Sequence, residues 1–403
     1  MTERFRNWSG SLEFEYARRE RPRSEEEIQE IVRAAREEGR TVRPVGSGHS
    51  STPLVETDGV LVDFEHLHGL TAHDEDALTA TLLPGTTLEN SGELLADVGL
   101  GMENLGDVDY QTIAGAIGTG THGTGLELGN VSSNVIGGWL VTGTGEVRAF
   151  GVDAGTDGHD DLTRAARVSL GALGMFSALT LRVLPYYRLH RRNFMTHVDW
   201  TLDHFDELVS SSRHFDFYWY PRRDETQVRL MDRPDEDQQI DAPVDEYKRE
   251  DIGPSHHVIT NDRDLRFEEM EYMFPLERGM EVFRAVRERV KERHRQHVGW
   301  RVLVRVIAED DGLLSNCNGG PTMTIALLQN NVLDYHDYFD DLEPLFLDFG
   351  GRPHWGKKHS QTAEQLRGMY PEWDRFQQIR RELDPDGVYL NAHLRELLGE
   401  GTT

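Results

Sequence analysis

The sequence predicts a mixed α and β chain in two successive parts, and three observations carry that prediction. Short strand-like and helix-like segments alternate through the first 185 residues; glycine concentrates between about Gly101 and Gly145; from about Tyr186 the texture changes to aromatic strand-like runs such as "FDFYWYP". A chain of 403 residues falls where roughly two to three domains are expected, and 37% hydrophobic content is enough to bury a core.

The elements follow in order. "SEEEIQEIVRAAREEG" has Ser24 and Glu27 at capping-box spacing, Ile28, Ile31, Val32 and Ala35 at helical spacing, and Gly39 as a stop. "TVRPV" and "GVLVDF" read as strands, and "ALTATLLPGTTLENSGELLADVG" as strand, turn and helix. "NVIGGWLVTGTGEVRAF" reads as a β-hairpin turning at Gly143–Gly145, and "DLTRAARVSLGALGMFSALTLRVLP" as helix, loop and strand, closed by Pro185. In the second part, "RPDEDQQIDAPVDEYKRED" predicts an exposed acidic loop. "LERGMEVFRAVRERVKERH" predicts an amphipathic helix with His294 and, beyond it, His297 on its solvated face. "GWRVLVRVIA" and "TMTIALLQ" predict strands of one sheet, and a last helix around "PEWDRFQQIRRELD" precedes "PDGVYLNAHL".

Charge narrows the function classes. The formal net charge is −28, which repels nucleic acid and anionic membranes. Only Lys248, Lys291, Lys357 and Lys358 are lysines; the other basic residues are arginine, a balance expected of a salt-adapted protein. One cysteine, Cys317, excludes an internal disulfide and a Cys-rich zinc site. No histidine cluster has zinc-type spacing with a carboxylate, so no metal is expected. No apolar leader and no apolar run near the ~20 residues of a membrane span is visible, and a cytoplasmic protein is expected.

Two stretches carry candidate chemistry. In "RPVGSGHSS", two glycines and three serines surround His49, a bare loop that lets a ligand approach the backbone closely. "GGRPHWGKKH" places Lys357 and Lys358 together in a chain that otherwise avoids lysine, which suggests a required ammonium. Gly118, Gly120 and Gly123 spell G-x-G-x-x-G, but the flanking strand and helix of a nicotinamide fingerprint are missing. A backbone cradle for another phosphate or ring is the better reading, with plain glycine packing beside it. His122 within that stretch reads first as a buried, hydrogen-bonded histidine. Neither a G-x-S-x-G elbow nor a P-loop occurs.

Six segments in order, "PVGSGHSSTPL", "LLPGTTLENSGELLADVGL", "TIAGAIGTGTHGTG", "SLGALGMFSALTLRVLP", "RPHWGKKH" and "DPDGVYLNAHL", resemble the vanillyl-alcohol-oxidase-type flavoproteins. The similarity is to their sugar-alcohol and aldonolactone oxidase branch, which includes alditol oxidase, L-gulono-1,4-lactone oxidase and D-arabinono-1,4-lactone oxidase. The resemblance implies an α+β fold: a two-subdomain FAD-binding domain of the PCMH type over 1–185, then an α+β substrate domain over 186–403. That second domain lays an antiparallel sheet over the flavin, and its C-terminal segment returns to the cofactor.

By the same resemblance, Val45, Gly46, Ser47, Gly48, His49 and Ser50 wrap the FAD, with His49 bonded covalently to the flavin methyl. Gly115, Gly118, Gly120, Thr121, His122 and Gly123 form the second FAD-contacting stretch. "PDGVYLNAHL", with Asn391 and His393, reads either as a turn closing the last helix or as part of a ligand wall, in which His393 is an expected cofactor contact. Lys357 and Arg305 are the expected catalytic groups, stabilising the reduced flavin and orienting substrate. Thr322 and Thr324, with Lys357, are the expected substrate contacts. One departure stands out: the branch commonly has glutamate two residues before the arginine, as E-x-R, and here Leu303 takes that place. The resemblance implies oxidation of a CH–OH group of a polyol, sugar or aldonolactone, with oxygen as acceptor. A dehydrogenase with another acceptor and a non-catalytic flavin- or sugar-binding protein are the alternatives. Oligomeric state is not legible.

Overall fold

A computed structural model of the chain describes residues 3–236, 240–261 and 265–400. Ser24 caps the helix Glu25–Glu37 by accepting from the Glu27 N–H at 3.3 Å, while Glu27 itself accepts from the Arg23 N–H rather than from its cap. This helix connects Arg18–Glu20 to Val42–Val45, and both strands run parallel to Val60–Asp63 between them. Ile28, Val32 and Ala35, each fully buried, are its inner face and pack on Val42, Val60 and Val62. Burying each such side chain contributes about 1.5–3 kcal/mol. The expected hairpin Val135–Val141 to Val147–Gly151 is present, at the edge of a five-stranded antiparallel sheet that continues through Met175–Arg182, Thr79–Leu82 and Leu70–Asp74.

Beyond Pro185 an eight-stranded antiparallel sheet dominates. Its order is Arg249–Pro254, Arg188–His197, Glu225–Asp232, His214–Tyr220, Val302–Ile307, Thr322–Asn330, Phe267–Pro275 and Arg352–Pro353. Strand periodicity of two sorts the side chains. Phe215, Phe217, Trp219, Val302, Val304, Val306, Met323, Ile325 and Leu327 share an apolar core with Val282, Phe283 and Val286 of the helix Leu276–Arg289. The alternate residues carry polar groups to the other face: Asp216, Arg229, Glu269, Glu271, Arg305 and Thr324, all buried. That face meets the first part of the chain. The Gly125 N–H donates to Val306 O at 2.7 Å, which ties the glycine-rich stretch to the strand carrying Arg305.

Two expectations change. His294 is not solvated: it is buried, faces Asp341 at 2.8 Å and packs on Tyr338. A π-helical turn over Val290–His294 rotates it off the charged face, and only His297 is exposed. The acidic loop is exposed at Pro234–Glu236, but its residues 237–239 lie outside the described residues, and its end forms the edge strand Arg249–Pro254. The C-terminal segment leaves the large sheet and packs against the first part of the chain. Leu366, Tyr370, Trp373, Phe376, Leu390 and Leu394 belong to the core of the first part. Asn391 Nδ2 donates to Pro53 O and Glu56 O, and Tyr389 Oη donates to Val141 O.

Candidate active site

The loop after Val42–Val45 is held from several sides. Gly48 has φ +67°, a left-handed conformation suited to glycine. A Cβ on Gly46 would stand 2.1 Å from Thr112 Oγ1. The Trp8 N–H donates to Gly48 O at 2.8 Å, and Asn7 Nδ2 to Ser50 O at 3.1 Å. Beneath it, buried Arg43 donates to four carbonyls, those of Leu54, Leu170, Gly171 and Tyr389. One cation thereby fastens the loop strand, the 169–171 turn and the C-terminal segment together. These segments wall a cleft of about 850 Å³, lined by Val45 to Ser50, Gln111 and Thr112, Gly115, Gly118, and Ser169 to Gly171.

A second cleft of about 660 Å³ shares His49, Ser50, Gln111 and Thr119 with the first, so the two meet at His49. Its floor is the polar face of the large sheet, with Tyr218, Glu269, Glu271, Leu303 and Arg305; Thr121, His122, His354 and Lys357 close it. The segment Pro353–Lys358 is clamped from both sides. The Ser51 N–H donates to Gly356 O at 2.8 Å and Thr52 Oγ1 to Trp355 O at 2.9 Å. The His354 N–H donates to Glu271 O and the Lys358 N–H to Glu269 O, each at 2.9 Å. This clamp sets Lys357 Nζ in contact with Glu269 and puts His354 beside Glu271.

The charges are unevenly satisfied. Arg229 forks onto Asp216 through two bonds of 2.5 and 2.6 Å and reaches Asp107 at 2.8 Å. Arg305 is held more loosely, with Nη1 3.4 Å from His122 O and Nη2 4.0 Å from Asp107. Glu271 meets His122 Nε2 at 3.2 Å. Burial pushes the Glu271 carboxyl up, but His122, with Lys357 and His354, holds it well below the usual carboxylate range. Burial, helped by the Lys357 ammonium, lowers His49 to about 3, so its imidazole is neutral. Its Nδ1 lies 3.0 Å from Tyr110 Oη, and its ring stands edge-on to Trp8 and Tyr110.

Of the residues expected from sequence, Val45 to Ser50, Gly115 and Gly118 line the first cleft, and Thr121, His122, Arg305 and Lys357 the second. Others go elsewhere. Gly123 is wedged against Asn104 and Leu105, where a Cβ would come within 2.1 Å, and Gly120 serves a turn at φ +69°. Thr322 pairs with Cys317 Sγ at 3.3 Å, and Thr324 has an unpartnered Oγ1 under the sheet. His393 lines neither cleft; burial and Arg43 lower it to about 4. Glu269 and Glu271 were missed, although "FEEMEYMF" sets two glutamates at strand spacing on one face. Outside both clefts, His256 and His257 meet Glu93 at 3.5 and 2.6 Å.

The backbone of the first cleft fits FAD. The N–H groups of Ser47, Gly48, His49 and Ser50 donate to no protein acceptor among the described residues. Consecutive free N–H groups on a glycine loop suit a diphosphate. The cleft also leads past a neutral histidine to the polar one, so the residues present fit a dinucleotide with its reactive ring at the junction.

Comparison with known proteins agrees. The FAD binding domain family matches residues 18–151, and the D-arabinono-1,4-lactone oxidase family matches 179–252 and 242–397. The L-gulono-1,4-lactone dehydrogenase of Mycobacterium tuberculosis is 36% identical over 98% of both chains. The L-gulonolactone oxidase of Bos taurus is 26% identical, also over 98% of both. The D-arabinono-1,4-lactone oxidase of Eremothecium gossypii is 36% identical over 54% of this chain and 41% of its own. In fold, cholesterol oxidase from Brevibacterium sterolicum superposes with a TM-score of 0.85, covering 99% of this chain and 97% of the other at 16% identity. With the loop, the two clefts and these matches together, the chain belongs to the FAD-dependent aldonolactone oxidoreductases of the D-arabinono-1,4-lactone oxidase family.

Proposed function

We propose that the protein oxidises a carbinol of an aldono-1,4-lactone and passes the electrons to oxygen. The observation that carries this reading is the meeting of the two clefts at His49, one a glycine-walled cradle and the other a polar chamber with Arg305 and Lys357. FAD, when bound, supplies the two-electron acceptor for the carbinol hydride. Val45 to Ser50, Gly115 and Gly118 hold it, with Thr121 and His122 at the chamber end. Lys357 and Arg305 orient the lactone oxygens and balance the negative charge that develops on reduction. Residues 1–185 make the cofactor part and 186–403 the substrate part, the C-terminal segment acting as a strap back onto the first.

His49 is the proposed tether. Its ring is neutral and fixed by the 3.0 Å contact of Nδ1 with Tyr110 Oη, so one ring nitrogen would offer a lone pair to carbon. FAD would supply the methyl carbon, which would lose a proton as the carbon–nitrogen bond forms, and the enzyme's electron acceptor would take up the two electrons released. Yellow colour that survives denaturation and a mass raised by one FAD support this; a His49→Ala variant that keeps the added mass overturns it.

The function is tested by adding L-gulono-1,4-lactone or D-arabinono-1,4-lactone without air. Bleaching of the flavin is expected, and failure of every aldonolactone to bleach it refutes the reading. The dehydrogenase name of the M. tuberculosis relative, more similar than the animal oxidase, favours a second reading with a non-oxygen acceptor. One peroxide per turnover in air decides for oxygen; reoxidation by a dye alone decides against it.

A further inference from the structure

Oxidising a carbinol removes a hydride and a proton. In the function proposed above, on which this inference rests, the hydride goes to FAD, so the hydroxyl proton must be received by the protein or by water. We infer that Glu271 receives it: one carboxylate oxygen faces His122, and the other takes the hydroxyl proton of the lactone as the carbon–oxygen double bond forms.

Unfilled hydrogen-bonding capacity is the first ground. Glu271 is 1% exposed, yet neither carboxylate oxygen has a hydrogen-bond partner among the described residues; the contact with His122 is an ion pair without hydrogen-bond alignment. A buried carboxylate left without donors is costly, and this one lines an open chamber. The missing donor is what a substrate hydroxyl brings. The other carboxylates on this face are already engaged, Glu269 by Lys357 and Asp216 by Arg229.

Tautomers are the second ground. His122 Nδ1 lies 3.0 Å from Gly123 O, and a carbonyl only accepts, so that nitrogen carries a proton. Nε2 therefore turns either a second proton or a bare lone pair toward Glu271, 3.2 Å away. His354 Nδ1 accepts the Gly356 N–H at 3.0 Å, which puts its own proton on Nε2. One nitrogen of each ring and a Glu271 oxygen lie within 4.8 Å of one another, so both rings are brought to the carboxylate.

Sheet register is the third ground. Leu303 pairs with Ala326, and Ala326 pairs with Glu271, so the three stand in one cross-strand row. Leu303 offers no acceptor, and the Ala326 methyl leaves the chamber open between them. Arg305 stands one row along the same face, paired with Thr324.

Glu271→Gln keeps the shape and removes the base. In anaerobic stopped-flow mixing with an aldonolactone, flavin reduction is expected to slow by about 10²–10⁴-fold, with FAD content retained. In the wild type the rate should hold as pH falls toward 4.5, the ordinary carboxyl value, since His122, with Lys357 and His354, keeps Glu271 ionised against its burial. Histidine ¹⁵N NMR of the holoenzyme gives a readout apart from turnover: the His122 Nε2 resonance is expected to shift in E271Q, since that nitrogen faces Glu271 at 3.2 Å. Wild-type reduction rates in E271Q, or an unchanged His122 signal, overturn the inference. If E271Q loads FAD poorly, Glu271→Asp is measured instead; partial recovery over E271Q supports the base, and no recovery overturns it. If the wild type itself is not bleached by any lactone, the proposed function has failed rather than the base.

Discussion

Lys357→Met tests how the chamber holds its charges. Lys357 and Glu269 are 19% and 8% exposed, a pair taken largely out of water. Removing one partner of such a pair leaves a stranded charge and costs about 3–5 kcal/mol, whereas replacing both with neutral groups is near neutral. Unfolding entropy of ~2.1 cal/mol/K per residue over 403 residues converts this to a Tm lower by about 4–6 °C. Glu269→Gln alone should cost less, about 1 kcal/mol, because Lys357 still reaches water. The assay is a double-mutant cycle by thermal and urea unfolding of FAD-saturated protein. The Lys357→Met/Glu269→Gln double variant should return to within about 1 kcal/mol of wild type. A double variant as unstable as Lys357→Met refutes the reasoning, since the loss would then come from packing of the lysine stem.

Gly46→Ala should abolish FAD loading, because its methyl would lie 2.1 Å from Thr112 Oγ1, and a second change, Thr112→Ala, should restore it; flavin absorbance per protein reads both. Arg43→Met strands four buried carbonyls at about 1–3 kcal/mol each before relaxation, so a loss of at least about 4 kcal/mol is expected, with faster proteolysis of the C-terminal strap. His214 is fully buried, and burial lowers it from 6.5 to about 3. The unfolded chain therefore binds the proton first as pH falls, and stability should decline by up to about 1.4 kcal/mol per pH unit between those values. His214→Asn should flatten that slope in urea titrations.

What was legible depended on how locally each feature is encoded. The helix Glu25–Glu37 announced itself through its cap and period, and the strand Val302–Ile307 through its alternation. His49 and Lys357 stood out because their settings are unusual along the chain itself. Glu269 and Glu271 did not. Their partners lie far away in sequence, Lys357 88 residues on from Glu269 and His122 far upstream of Glu271, and only the sheet brings them together. His294 failed for a different reason: extrapolating a 3.6-residue period into the π-turn Val290–His294 puts this residue on the wrong face. Gly123 shows the limit of motif spelling, since it completes G-x-G-x-x-G yet meets protein, not ligand.

A chamber floor crowded with charge can be sorted by asking which groups are already satisfied. Asp216 and Arg229 close on each other in a bidentate fork, with Asp107 beside them, and Glu269 closes on Lys357. The Asp216–Arg229 fork has little left to offer a ligand, and breaking it is a matter of folding, whereas the Lys357 ammonium keeps donors beyond the one that meets Glu269. Arg305 and Glu271 are different. The guanidinium has only a 3.4 Å contact to a carbonyl and a 4.0 Å approach to Asp107, and the carboxylate has one misaligned ion contact. These loosely held groups of opposite sign face one chamber of a protein whose net charge is −28. A lactone carries acceptors in its ring and carbonyl and donors in its hydroxyls, the complement of an arginine and a carboxylate. Substitutions at Asp216 or Arg229 should therefore lower the unfolding midpoint with flavin reduction little changed per folded molecule. Substitutions at Arg305 or Glu271 should leave the midpoint nearly in place and slow reduction. A stability loss at Arg305 as large as at Arg229 would show that the chamber's charges are a single structural network.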